Sequence, residues 1–150
     1  STYLKAEKMC KDEYDLVYPF GFGTQENQVK WQKKVFASDE LVSDFLNQNF
    51  DFSIFENHSQ KDRAQWGHAQ FFKRTSYIEG GMENENFKAY APEDKERYYR
   101  FNMLGYSVGR IENYVYHLEH ARGENSWFNN PHMDDNQMEW TKLSTMSKEQ

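Results

Sequence analysis

A chain of 150 residues with a net charge of −6, its lysines and arginines scattered rather than striped, has the size of one domain and no electrostatic footprint for nucleic acid. No apolar run approaches the roughly 20 residues that span a bilayer, and the amino terminus lacks a charged-then-apolar signal pattern. The single cysteine, Cys10, excludes an internal disulfide framework and fits a reducing compartment, so a soluble, cytoplasmic protein is expected, with membrane association of a longer protein left open. Aromatic residues make up 17% of the chain, enough to build a core of rings and leave others to line a cleft, and flat rings are what pyranose faces stack on.

In chain order, residues 4–13 have helical character, and Tyr14 to Phe20 reads as a strand that Pro19 ends or places at an edge. Gly21-Phe22-Gly23 is a loop. Residues 25–36 are polar and helix-compatible, and Ser38 is an N-cap candidate ahead of Leu41, Val42, Phe45 and Leu46 at helical spacing. Residues 47–63 have little periodicity and read as a long surface excursion, with strand pieces expected around Phe50 to Phe55. Residues 66–74 read as a strand, and residues 77–90, containing Gly80 and Gly81, as a loop that turns sharply or approaches a ligand. Pro92 fits the first position of a helix, with Glu93 and Asp94 in its first turn, where negative charge complements the exposed amides. After Gly105, residues 106–111 and 114–119 read as strands, and a short helix is expected around Met138 to Met146. The fold class is therefore α/β, a mixed sheet with flanking helices.

Two clusters carry candidate chemistry. Helical periodicity puts Asp94 on a stripe with Tyr98 and Phe101 and puts Glu93 beside Arg97 and Arg100. A carboxylate so placed has its proton affinity raised by its like-charged neighbour and lowered by the helix terminus, and can act as a base; acids that merely start a helix are the structural alternative. The pair does not suit a glycosidase, whose carboxyl groups face each other across about 5–10 Å. The second cluster is His117 and His120. Three apart, they face opposite sides of a regular strand and can share a metal only if the strand ends between them; otherwise one packs and the other is exposed. His58, His68 and His132 have no ligand-like spacing, and neither a phosphate loop nor a positioned thiol is evident.

From Trp66 to Met146 the chain resembles the carboxy-terminal part of GT-A glycosyltransferases, particularly the β-1,4-galactosyltransferase type and related bacterial transferases. The resemblance rests on Trp66-Gly67, the strand ending Phe71-Phe72-Lys73, the Gly80-Gly81 turn, and Asn86-Phe87-Lys88-Ala89-Tyr90. It continues through Glu93-Asp94 with Arg100 and Gly105 to His120-Ala121-Arg122. It implies that Asp94 binds an acceptor hydroxyl and serves as general base, with Glu93 its neighbour in acceptor recognition. It implies that His120 ligates a divalent cation, Mn2+ or Mg2+, that holds the nucleotide diphosphate; His117 falls where the galactosyltransferases use a methionine ligand. Trp66, Gly67, Gly80, Gly81, Tyr90 and Arg122 would then contribute to acceptor and donor binding, Tyr90 standing where the family has a loop tryptophan.

The implied activity is an inverting, metal-dependent transfer of a hexose, such as galactose or N-acetylhexosamine, from a nucleotide-sugar donor, UDP-linked by resemblance, to a glycan acceptor. Two departures qualify it. Ala89, Ala91 and Pro92 replace the family's small glycines, which stiffens the segment. No Asp-x-Asp occurs in the chain, which suggests a carboxy-terminal portion lacking the nucleotide-binding half and inactive alone, or else a non-catalytic glycan-binding or assembly module on a transferase scaffold.

Overall fold

The computed structural model describes residues 1–21, 32–62, 65–126 and 130–147. Its elements in order are α1 (Thr2–Asp12), β1 (Leu16–Tyr18), β2 (Gln32–Val35), α2 (Asp39–Asn47), a 3₁₀ helix (Phe52–His58), β3 (Ser59–Asp62), β4 (Phe71–Phe72), α3 (Arg74–Glu79), α4 (Glu93–Met103), β5 (Val108–Arg110), β6 (Val115–Leu118) and α5 (Met133–Ser144). The architecture is mixed α/β with two three-stranded mixed sheets. Contacts divide it into two compact units, one of residues 1–19, 66–111 and 122–150, the other of residues 20–65 and 112–121. Among the described residues no helix is long and apolar enough to cross a membrane.

The first unit is organised by β1. Leu16, Val17 and Tyr18 are all fully buried, as a central strand covered on both faces requires, and β1 pairs antiparallel with β4 and parallel with β5. Ser1 caps α1 by accepting from the Leu4 N–H, and α1 packs Ala6 and Cys10 against Val17 and Ile111. Asp15 joins three elements, accepting from Ser76 Oγ on α3 and from Ser107 N (2.8 Å) and Oγ (3.0 Å) ahead of β5. Burial opposes its charge, but these hydrogen bonds outweigh burial and hold its carboxyl below the usual range. On α4, Phe101 is fully buried against Phe72 and Tyr106.

The second unit is organised by β2, which pairs antiparallel with β3 and parallel with β6. Lys33 on this strand is 7% exposed, its Nζ 2.7 Å from both Glu56 oxygens and 4.5 Å from the Tyr114 ring centroid. Phe55 is buried among Phe45, Phe52 and Tyr116. Ser38 caps α2 as its sequence position predicts, accepting from Leu41 N at 3.3 Å.

α1, β1 ending before Pro19, α2, α4, β5 and β6 stand where the sequence puts them, within the usual uncertainty of element ends. Four readings are corrected. Gln32 to Val35 is a strand where a helix was expected, because partners on both sides reward extended backbone and Glu56 neutralises the buried lysine; residues 25–31 of that expectation lie outside the described residues, as do Phe22 and Gly23. Residues 52–58 form a 3₁₀ helix, started by Asp51 accepting from Ser53 N, where strand pieces were expected. Of residues 66–74 only Phe71–Phe72 is strand, and Arg74 to Glu79, partly assigned to loop, is helical. α5 begins at Met133, five residues before the expected start, with Asp134 and Asp135 favouring its first turn.

Candidate functional site

α4 begins at Glu93, with Pro92 one position earlier than expected, at the N-cap, where its carbonyl accepts from Glu96 N at 2.9 Å. Glu93, Asp94 and Glu96 fill the first turn. Asp94 is half-buried, and burial pushes its carboxyl up from the usual range, with Glu83 adding to the shift and Arg97 opposing it. Glu93 is pushed up by burial too, with Asp94 and Glu83 adding. Glu93 Oε2 is buried and has no hydrogen-bond partner among the described residues.

The cation pairing differs from the one that periodicity suggests. Arg97 meets Asp94, Nη1 to Oδ1 at 3.3 Å, and Arg100 meets Glu96, Nε to Oε1 at 2.6 Å. Glu93 forms neither pair, because spacings of three and four along α4 also bring Asp94 to Arg97 and Glu96 to Arg100, and tertiary contacts choose among them. Arg97, 8% exposed, lies inside rather than on a solvated stripe. Its Nη1 also donates to Gln70 Oε1, and Gln70 in turn donates to Trp66 O at 2.7 Å and Tyr18 OH at 3.3 Å. Behind them the Arg110 guanidinium sits 4.1 Å from the Tyr18 ring centroid; burial pushes the Tyr18 phenol well up and the Arg110 guanidinium down.

Several other expected residues gather around this helix. Gly67 faces Asp94 so closely that a Cβ there would stand 3.1 Å from Oδ2, and the carboxylate would have to give by a few tenths of an ångström to admit it. Trp66 is half-buried, 6.1 Å from the Tyr98 ring, with Lys95 Nζ 5.6 Å from its own ring centroid. Gly80 is packed so that a Cβ would meet Ser76 O at 2.7 Å, and Gly81 has φ +90°. Arg100 reaches back to this turn, donating to Gly80 O and to Met82 O (2.7 Å). Tyr90 is 42% exposed, and its carbonyl accepts from Asn130 (2.7 Å) and Asn136 (3.2 Å). Ala89 before it has φ +56°, a left-handed conformation that favours glycine. Arg122 is exposed.

The histidines belong to the other unit. β6 ends at Leu118, so the condition for His117 and His120 to approach one another is met: their ring centroids are 5.8 Å apart with planes 33° from parallel. His117 Nε2 is 4.0 Å from Glu119 Oε1, and His120 is exposed with Nδ1 3.0 Å from Ala121 O. Two imidazoles this close fit part of a divalent cation's donor set, although no group of three His, Cys, Asp or Glu side chains poised for a metal occurs among the described residues.

Sequence reasoning overlooked Gln70, Glu83, Asn130 and Asn136. Both asparagines are buried, and Asn136 exchanges hydrogen bonds with the Lys88 backbone, donating to its carbonyl and accepting from its N–H. No protein-family model, no curated protein and no solved structure matches this chain.

Proposed function

We propose that this chain forms the acceptor side of an inverting, nucleotide-sugar-dependent glycosyltransferase, the carboxy-terminal part of a GT-A scaffold, with Asp94 as general base. The observation that carries this reading is the setting of Asp94, a half-buried carboxylate of raised proton affinity on the first turn of a helix. One oxygen is held by a buried arginine and the other lies against Gly67, which has no side chain to cover it. A base needs to be ionised near neutral pH yet willing to accept a proton, and burial opposed by one arginine provides that balance. The neighbouring Glu93, half-buried on the same turn, would be the second carboxylate in acceptor recognition.

In this mechanism Asp94 takes the proton of an acceptor hydroxyl as that oxygen attacks the anomeric carbon. The bond from that carbon to the diphosphate oxygen breaks in the same displacement, which inverts the centre, and the diphosphate departs with its electron pair. Trp66, beside Tyr98, offers a ring face for the acceptor sugar. By the resemblance, His120 with His117 would hold a divalent cation, manganese or magnesium, which would supply Lewis-acid chemistry to a diphosphate bound there.

The test is transfer from a panel of UDP-hexoses and UDP-N-acetylhexosamines to oligosaccharide acceptors with Mn2+ by the complete transferase that would contain this chain, comparing wild type with Asp94→Asn. A fall in turnover of roughly 10²–10⁴-fold with little change in acceptor binding is expected. Near-normal turnover by Asp94→Asn removes Asp94 from the role. Glycan binding without transfer from any donor would identify a non-catalytic glycan-binding module instead.

A further inference from the structure

We propose that Arg97 is a positioning residue whose guanidinium is divided between Asp94 and Glu83, and that Glu83 thereby governs how firmly the α4 carboxylate is held. The inference deepens the reading of Asp94 as a base and rests on it. The guanidinium is held through both terminal nitrogens, while its buried Nε has no hydrogen-bond partner among the described residues. Nη1 meets Asp94 Oδ1 at 3.3 Å and Gln70 Oε1, Nη2 meets Glu83 Oε2 at 2.8 Å, and Cζ lies 5.8 Å from the Phe72 ring centroid. The shorter contact is thus to Glu83, and the contact to Asp94 reaches Oδ1 alone.

A guanidinium engaging both oxygens of Asp94 would occupy the lone pairs a base needs and would lower its proton affinity strongly. Glu83 prevents that by claiming the other arm of the fork. It does so from a fixed place: Tyr77 OH donates to Glu83 Oε1 at 2.7 Å, and Arg100 holds the carbonyls of Gly80 and Met82 just before it. The Gly80-Gly81 turn is therefore linked to the base through two arginines one helical turn apart. The other ionisable groups around Asp94 are Glu93 on α4 and the Tyr18 phenol on β1, which is covered by Arg110 of β5; Lys95 is directed towards Trp140, 4.2 Å from its ring centroid. None of these shares the Arg97 fork.

The arrangement predicts effects of opposite sign, which a merely structural role would not produce. In protein selectively labelled at the aspartate carboxyl carbon, with Asp94 assigned by its loss in Asp94→Asn, Arg97→Gln should raise the Asp94 titration midpoint by about 1 pH unit. Glu83→Gln should lower it, because a negative charge is lost and the fork is released to Asp94. Arg97→Lys, which keeps the charge but not the fork, should fall between wild type and Arg97→Gln. In the transfer assay the acidic limb of kcat/KM should move with each midpoint. Midpoints that do not move, or that move the same way in Arg97→Gln and Glu83→Gln, overturn the proposal whatever the activity. If Arg97→Gln fails to fold, the opposed shifts expected of Arg97→Lys and Glu83→Gln decide it. Opposed midpoints with an unmoved pH–rate profile would uphold the shared arginine and instead sink the reading of Asp94 as the base.

Discussion

Around Asp94 the first unit assembles a buried arginine, a glutamine, a second carboxylate and a closely approaching glycine, so that one oxygen is held by Arg97 and the other lies against Gly67. Around His120 in the second unit the arrangement is local: an exposed ring at the end of β6, next to the carbonyl of its own neighbour and 5.8 Å from the ring of His117. The first site is organised by side chains distant in sequence and needs no ligand to fix its geometry. The second owes its approach to the place where a strand stops, and a bound ion would contribute much of its remaining order. A helix terminus supported by buried polar partners and a pair at a strand end are thus two levels of preorganisation in one chain.

The largest expected effect that separates the two is on turnover. Asp94→Asn should lose roughly 10²–10⁴-fold in transfer while its manganese titration stays unchanged; a lost metal response in that variant would erase the distinction between the sites. Next come the cores that carry them. Phe101→Ala and Phe55→Ala each remove a fully or almost fully buried ring, at an expected cost of about 3–5 kcal/mol. Hydrogen exchange should show the loss of protection concentrated around β1, β4 and β5 in the first variant and around β2, β3 and β6 in the second.

For the histidine pair, His120→Ala should weaken manganese binding in calorimetric titration, with the Asp94 titration unaffected. An unchanged manganese isotherm would count against a metal role for His120. The smallest effect concerns Glu93. Its pKa in the folded protein is raised, chiefly by burial, so its carboxyl favours the fold at pH below its unfolded pKa, and that contribution is lost as pH rises through the folded value. Glu93→Gln should therefore be more stable than wild type at neutral pH, by under about 1 kcal/mol for a half-buried group, and the difference should vanish on acidification. Glu139 has the opposite sign. Hydrogen bonds from Asn84 chiefly, and also from Asn86, hold its carboxyl below the usual range, so its contribution is present above its unfolded pKa and fades as pH falls through the folded value. Parallel denaturation of Glu93→Gln and Glu139→Gln from pH 7 to 3 checks both signs.

The legible parts of the sequence were those governed by neighbours in the chain. Ser38 ahead of an apolar helical stripe, Pro92 ahead of three acids, and Leu16-Val17-Tyr18 stopped by Pro19 each state a local preference that the fold honours. The acidic turn of α4 and the two strands flanking Glu112 and Asn113 were equally plain, and with them the candidate residues Glu93, Asp94, His117 and His120. The 3₁₀ helix at residues 52–58 and the shrinkage of the strand at residues 66–74 were not, because short aromatic segments satisfy several backbone states and long-range ring packing selects among them.

Sequence by itself determined the mixed α/β class, the starts of α2 and α4 and which carboxylates and imidazoles stand at element ends, since capping, periodicity and chain breakers act within a few residues. Only the tertiary structure decided that Gln32 to Val35 is a central strand with a buried lysine, that Asp94 rather than Glu93 has the arginine, and that Gly67 and Glu83 border the same carboxylate. Each of these depends on a charge, a hydrogen bond or a steric contact supplied by another element of the fold. Periodicity can place a side chain on a face, but it cannot say what the rest of the chain brings to meet it.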